Sequence, residues 1–149
     1  MRRLAPVLLI LLGLFLLSQQ VTPQGCSFPN FPINVTPSPI PDAGNRVLIT
    51  FNNANKASLP KAQLALLSSN ELRTWLDQHC VKDSKGIPEW RIWPVEIEVN
   101  PDQPIWQKLM GLERKADEWI IISTGKTGYS GPLPADEPAT MELLKKYLQ

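Results

Sequence analysis

Two cysteines and one histidine are the side chains of this 149-residue chain best suited to nucleophilic, ligand or proton-transfer chemistry. His79 and Cys80 are neighbours, and a thiol beside an imidazole suggests a nucleophile with its base. Successive residues on a helix, however, point about 100° apart and do not face each other. The pair therefore reads as Cys80, a small core residue, and His79 at a helix end. Three such residues also fall short of the four ligands that a structural zinc site takes. Gly125-Lys126-Thr127 mimics the end of a phosphate loop, but that motif needs a glycine where Ile120 stands. No helix can follow either, because Gly128 to Pro134 does not supply one. Lys126 is thus expected in a hairpin turn. Glu96 and Glu98 share one face of an extended stretch and read as its solvated side. No catalytic residue, metal or cofactor is expected.

The elements that would hold these residues are plainer than the chemistry. Trp119 to Ile122 is apolar at every position and rich in β-branched residues, which reads as a strand buried on both faces. Thr124-Gly125-Lys126 supplies a turn, Thr127 to Ser130 returns as a shorter strand, and Ala139 to Leu148 follows as an amphipathic helix. Upstream, Val47 to Phe51 is a second buried strand. Ser58-Leu59-Pro60 reads as a helix start, with the helix running Lys61 to Leu67. Ser68 to Glu71 has a capping-box pattern that begins another helix, with Leu72, Trp75, Leu76 and Cys80 on one face. Glu89 to Trp93 reads as a third strand that Pro94 suits to an edge or a strand end. Val95, Ile97 and Val99 alternate with acids as an extended segment. Asn100-Pro101-Asp102 is expected to cap a helix that buries Ile105, Trp106 and Leu109 before ending near Leu112.

The order of strand, helix pair, strand, helix, strand, strand and helix, over roughly Arg46 to Leu148, resembles the thioredoxin-like fold. The strongest matches are Trp119-Ile-Ile-Ile-Ser, Gly125-Lys126 in the hairpin, Tyr129-Ser130-Gly131 and the final helix ending Leu144-Lys145-Lys146-Tyr147. The resemblance implies an α/β domain with a central mixed sheet of about four strands flanked by helices. Redox members of that family carry Cys-x-x-Cys where the first strand meets the first helix. The equivalent stretch here is Ser58-Leu59-Pro60-Lys61, without sulfur. Those members also place a cis-proline just before the strand that matches Trp119–Ser123, where this chain has Asp117 and Glu118. A thiolate at a helix N-terminus is what such an enzyme uses, and serine and lysine do not replace it. The resemblance is therefore to a divergent, non-redox member.

At the N-terminus, Met1-Arg2-Arg3 is basic and Leu4 to Leu17 is apolar apart from Pro6 and Gly13. This matches a signal-peptide core of roughly 7–15 apolar residues and falls short of the about 20 that a spanning helix needs. Export is expected, to the periplasm or another extracytoplasmic space. The segment is either removed, leaving a secreted protein, or kept as a membrane anchor. Cys26 follows a glycine as lipidated cysteines do, but the apolar core ends too far upstream. Pro23, Pro29, Pro32, Pro37, Pro39 and Pro41 make a semi-rigid spacer. Asn34-Val35-Thr36 fits a glycosylation sequon that Pro37 weakens. The expected organisation is residues 1–25 as signal peptide or anchor, 26–45 as proline-rich linker and 46–149 as the thioredoxin-like domain.

Formal charge is only +1 and no basic stripe runs through the sequence, which excludes nucleic acid as the expected partner. The reading reached is an exported, non-catalytic domain acting as a binding or structural module for a protein partner, with membrane association through the N-terminal segment. The competing class is a thiol-dependent redox protein working through Cys80 alone. Exposure of Cys80 discriminates, since a reactive thiol must be reached.

Overall fold

A computed structural model describes residues 36–148. The signal or anchor segment, Cys26, Asn34 and the first prolines lie outside the described residues. Strand β2, Arg46–Phe51, and strand β4, Trp119–Ser123, are buried at every position. They pair antiparallel, with Ile49 opposite Ile120. Continuous apolar runs take this place because both of their faces meet protein. Strand β3, Trp90–Pro94, pairs parallel to β2, and strand β5, Thr127–Pro132, pairs antiparallel to β4. A two-residue strand β1, Thr36–Pro37, joins the outer side of β5. The sheet order is β1-β5-β4-β2-β3. The result is an α/β domain on a mixed sheet, four strands of which match the expected core.

Alternation along the strands sorts the core into two layers. On one face Val47, Ile49, Ile120, Ile122 and Tyr129 pack against three helices: α1 (Lys61–Ser68), α2 (Asn70–His79) and α4 (Glu137–Tyr147). On the other face Leu48, Trp119 and Ile121 meet Ile40 and, from helix α3 (Pro104–Met110), Trp106 and Leu109. Each fully buried aliphatic side chain in these layers contributes about 1.5–3 kcal/mol relative to exposure. Among the described residues, no helix is long and apolar enough to cross a membrane.

The linker expected over 26–45 does not hold for its last ten residues. Ile40 is fully buried, and Thr36–Pro37 is a sheet strand. Ser38 hydroxyl donates to the Ile40 carbonyl (2.6 Å) and accepts from the Gly125 amide (3.1 Å). Ser123, also fully buried, donates to the same carbonyl at 3.2 Å. Prolines are tolerated because an edge strand needs no donor on its open side. A Cβ at Gly128 would stand 2.5 Å from both the Ile122 carbonyl and Pro39 Cδ, so a bare backbone is what admits this strap.

Local signals were displaced elsewhere by a residue or more. Ser69, not Ser68, caps α2, accepting from the Leu72 amide at 3.1 Å. Its hydroxyl also bonds Glu137 of α4, whereas Ser68 bonds back to the Leu64 and Ala65 carbonyls within α1. The capping box with Glu71 is not formed, because a cap at Ser69 puts Leu72 in the third position. Asn100 closes a small turn on the Asp102 amide, and α3 starts later, with Pro104 at its first turn. Val95 to Val99 is no strand. Val95 makes the last sheet bond, to Phe51, and the Ile97 amide then turns back to the Pro94 carbonyl.

Candidate functional site

In open α/β sheets, ligands sit beyond the carboxyl ends of the strands. Beyond the carboxyl end of β2, Asn52 shapes the chain by accepting from the Ala54 and Asn55 amides at 2.9 and 3.2 Å. A single 3-10 turn, Lys56–Ser58, leads on to α1. Ser58, Pro60 and Lys61 are exposed, while Leu59 is half-buried against the helical layer. Ser58 hydroxyl donates to the Asn55 carbonyl at 2.7 Å, so even this weak nucleophile is engaged in turn structure. Lys56 ammonium lies 5.3 Å from the centre of the Phe51 ring.

Polar groups around this end are spent on the frame. Asp117 offers its carbonyl to Thr50 hydroxyl (2.9 Å) and its carboxylate to the Asn52 amide nitrogen (2.8 Å). Glu118 carbonyl accepts from the Leu133 amide at 3.0 Å. Glu96 accepts from the Asn53 amide at 3.5 Å, and Glu98 is exposed. Asn53, Ala54, Pro94, Glu96 and Ile97 line only a shallow depression. No nucleophile with a base is assembled from these groups.

Cys80 lies at the other end of β2. It follows α2, and the next residue, Val81, donates its amide to the Asn45 carbonyl at 3.0 Å, just before β2 begins. Roughly 17 Å of strand, at about 3.3 Å per residue, therefore separates it from the stretch that leads to Ser58. Only 7% of Cys80 is exposed. Burial, then the negative charges of Asp77 and Glu89, push its thiol up from 9.0 to about 12, against the opposing pull of Arg46. At neutral pH the sulfur is therefore a protonated core atom and a poor nucleophile. His79 does not serve it. The imidazole stacks on Trp75 at 3.8 Å, and its Nδ1 lies 2.8 Å from the Trp75 carbonyl, which can only accept.

Lys126 is exposed in a two-residue hairpin loop. Gly125, at φ +83°, fills the position where such a loop calls for glycine. Thr124 closes the loop through its amide and hydroxyl, both donating to the Thr127 carbonyl at 3.0 and 2.7 Å. Among the described residues, no cluster of histidine, cysteine, aspartate and glutamate could hold a metal.

A second region went unread in the sequence. Along β3, arginines lie against indoles on both sides of the strand. Arg73 of α2 stands 5.5 Å from the Trp90 ring, and Arg91 stands 5.7 Å from Trp93 and 4.8 Å from Trp106. Trp90 indole N–H donates to Asp77 at 2.7 Å. Two concavities flank the strand, and Arg91 lines both. The available signal was the alternation of Trp90 and Ile92 against Arg91 and Trp93. What it lacked was Arg73 and Trp106, which arrive from separate helices. No family model, curated protein or solved structure matches the chain.

Proposed function

We propose that this chain carries an exported, thioredoxin-like domain that acts as a non-catalytic binding or structural module. The strand order supports the fold assignment: a parallel β2–β3 pair is extended by antiparallel β4 and β5, with helices on both faces. The observation that carries the functional reading is the separation of sulfur from the site. Ser58 to Lys61, which the resemblance sets at the exchange position, has no thiol, and Cys80 is buried at the opposite end of β2. Disulfide exchange needs an accessible thiolate and, in this family, a second thiol to resolve the mixed disulfide. Export rests on the basic start and the apolar run Leu4 to Leu17.

Insulin reduction by dithiothreitol tests the functional reading, with the intact chain compared with Cys80→Ser. The expected rate is that of buffer alone for both proteins. A rate well above buffer that disappears in Cys80→Ser would place the protein among thiol-dependent redox enzymes instead. Cell fractionation of the intact chain tests export, and a purely cytoplasmic pool would refute it.

A further inference from the structure

Strand β3 forms one outer edge of the sheet, and its register decides which backbone groups are free. Glu89 carbonyl accepts from the Val47 amide at 3.4 Å, the Val95 amide donates to Phe51 at 2.9 Å, and Arg91 lies opposite Leu48. In a parallel pair each residue turns both backbone groups to the same side. Arg91 and Trp93 therefore bond β2, and Trp90 and Ile92 face outward. The Trp90 carbonyl is taken by the Arg91 guanidinium at 2.7 Å. The N–H and C=O of Ile92 have no partner among the described residues. Pro94 lacks an N–H, which confines the open edge to Trp90–Ile92.

Charge and apolar surface converge on that short edge. Arg73 and Arg91 flank it, and neither guanidinium has a carboxylate partner among the described residues. Of the acids close by, Asp77 holds the Trp90 indole, Glu89 pairs with Arg46 at 2.5 Å and Asp83 accepts from the Lys85 and Ile87 amides at 2.8 and 2.9 Å, while Asp102 shares the second concavity with Arg91 without forming an ion pair. Ile87, which lines the same concavity as Arg73, is 48% exposed, the large apolar side chain left most open among the described residues.

We infer that the β3 edge accepts an extended segment of a partner protein as an added strand, one bearing carboxylates beside aliphatic residues. Ile92 supplies main-chain bonds, the usual source of affinity in strand addition. Arg73 donates Nη2 to the Leu67 carbonyl and Arg91 donates Nη1 to the Pro88 and Trp90 carbonyls, so their remaining N–H groups are what a carboxylate would meet, and Ile87 with Pro88 receives an aliphatic side chain. A second copy of this chain is the wrong occupant. Two β3 edges paired about a two-fold axis would bring like arginines together, which destabilises a strand pair. This inference rests on the binding-module reading and names the class of partner.

The test uses the full chain, isotope-labelled and held in mild detergent, titrated with the blocked peptide acetyl-Glu-Val-Glu-Val-Glu-amide. Tryptophan fluorescence should change saturably, and the Ile92 amide signal should shift most. Methylating the peptide nitrogens should abolish binding, and the all-lysine counterpart should not bind. Exchanging both arginines (Arg73→Gln with Arg91→Gln) should weaken affinity about fivefold, as loss of two exposed charge contacts implies. The amide spectrum of that variant reports its folding, and the peptide controls on the unmodified chain need no variant. Absence of saturable binding, equal binding of the lysine peptide, an unmoved Ile92 amide or a dimer joined through β3 would each overturn the inference. Insulin reduction is read separately. Activity there would defeat the module reading without moving these amides, and a silent edge would leave the missing chemistry at Ser58 to Lys61 as it stands.

Discussion

The two edges of the sheet are built on opposite plans. Beside β5 the edge is closed by the chain's own Thr36–Pro37, with Ile40 sunk in the core and Ser38 bonded across to the hairpin. Its prolines leave few free donors, and small Gly128 lets the strap lie flat. At β3 no further strand is added among the described residues. That edge is kept short and is bordered by arginines, two of the devices by which proteins limit indiscriminate edge pairing. Behind β3 the Arg46–Glu89 pair is nearly buried, with Arg46 also donating to the Asp42 and Ala43 carbonyls at 3.0 and 3.2 Å. The difference teaches that an edge protected by coverage becomes part of the core, whereas one bordered by charge keeps backbone groups open, as at Ile92.

The largest effect should come from removing the closed edge outright. A chain trimmed to begin at Asp42 loses β1, Ser38 and Ile40, and should lose about 4 kcal/mol or more, since a buried isoleucine truncation alone costs about 2–5. Urea denaturation checks this. Unchanged stability would mean that residues 36–41 are a linker after all. Single substitutions sharpen the same contrast. Ile40→Ala should cost about 3 kcal/mol and Ile92→Ala about 1, because only the first side chain is fully enclosed. Equal costs would erase the distinction between the edges.

A smaller effect reports on the support behind β3. Cys80 titrates near 9.0 when unfolded but only at about 12 when folded. Well below pH 9 both states hold the proton and the thiol adds no pH dependence; the unfolded state begins to lose it at about pH 8. Between those values the folded state holds the proton that the unfolded state has lost, so stability falls as pH rises. The slope from this group approaches about 1.4 kcal/mol per pH unit. Cys80→Ala should be flatter than the unmodified chain between pH 8 and 10 in urea titrations. Identical slopes would mean that the thiol is not enclosed. The smallest effect belongs to the hairpin beside the closed edge. Lys126→Ala should change stability by less than about 0.5 kcal/mol, and calorimetry with ATP should show no saturable heat in either protein. Binding lost in the variant would revive the phosphate-loop reading.

Much of the frame was legible along the chain. Val47 to Phe51 and Trp119 to Ile122 declare themselves because burial on both faces demands an apolar residue at every step. The hairpin was readable from Gly125, and that Ser58-Leu59-Pro60-Lys61 holds no sulfur is plain in the sequence itself. Cys80 was legible as a core residue from its spacing with Leu72 and Leu76. Placing the caps was harder, since Ser68 and Ser69 are equivalent locally. Ser69 was selected by Glu137, which lies far away in sequence.

What the sequence determined by itself was the type and order of the main elements, because hydrophobic period and turn chemistry act over a few residues. Tertiary structure alone decided that Ile40 is core, that prolines form a strand, that Arg46 pairs with Glu89, and that Arg73 and Trp106 meet the two sides of β3. Each of these joins residues far apart in the chain through sheet register and helix packing. No local pattern encodes such a meeting, because its free energy exists only once both partners have been brought together.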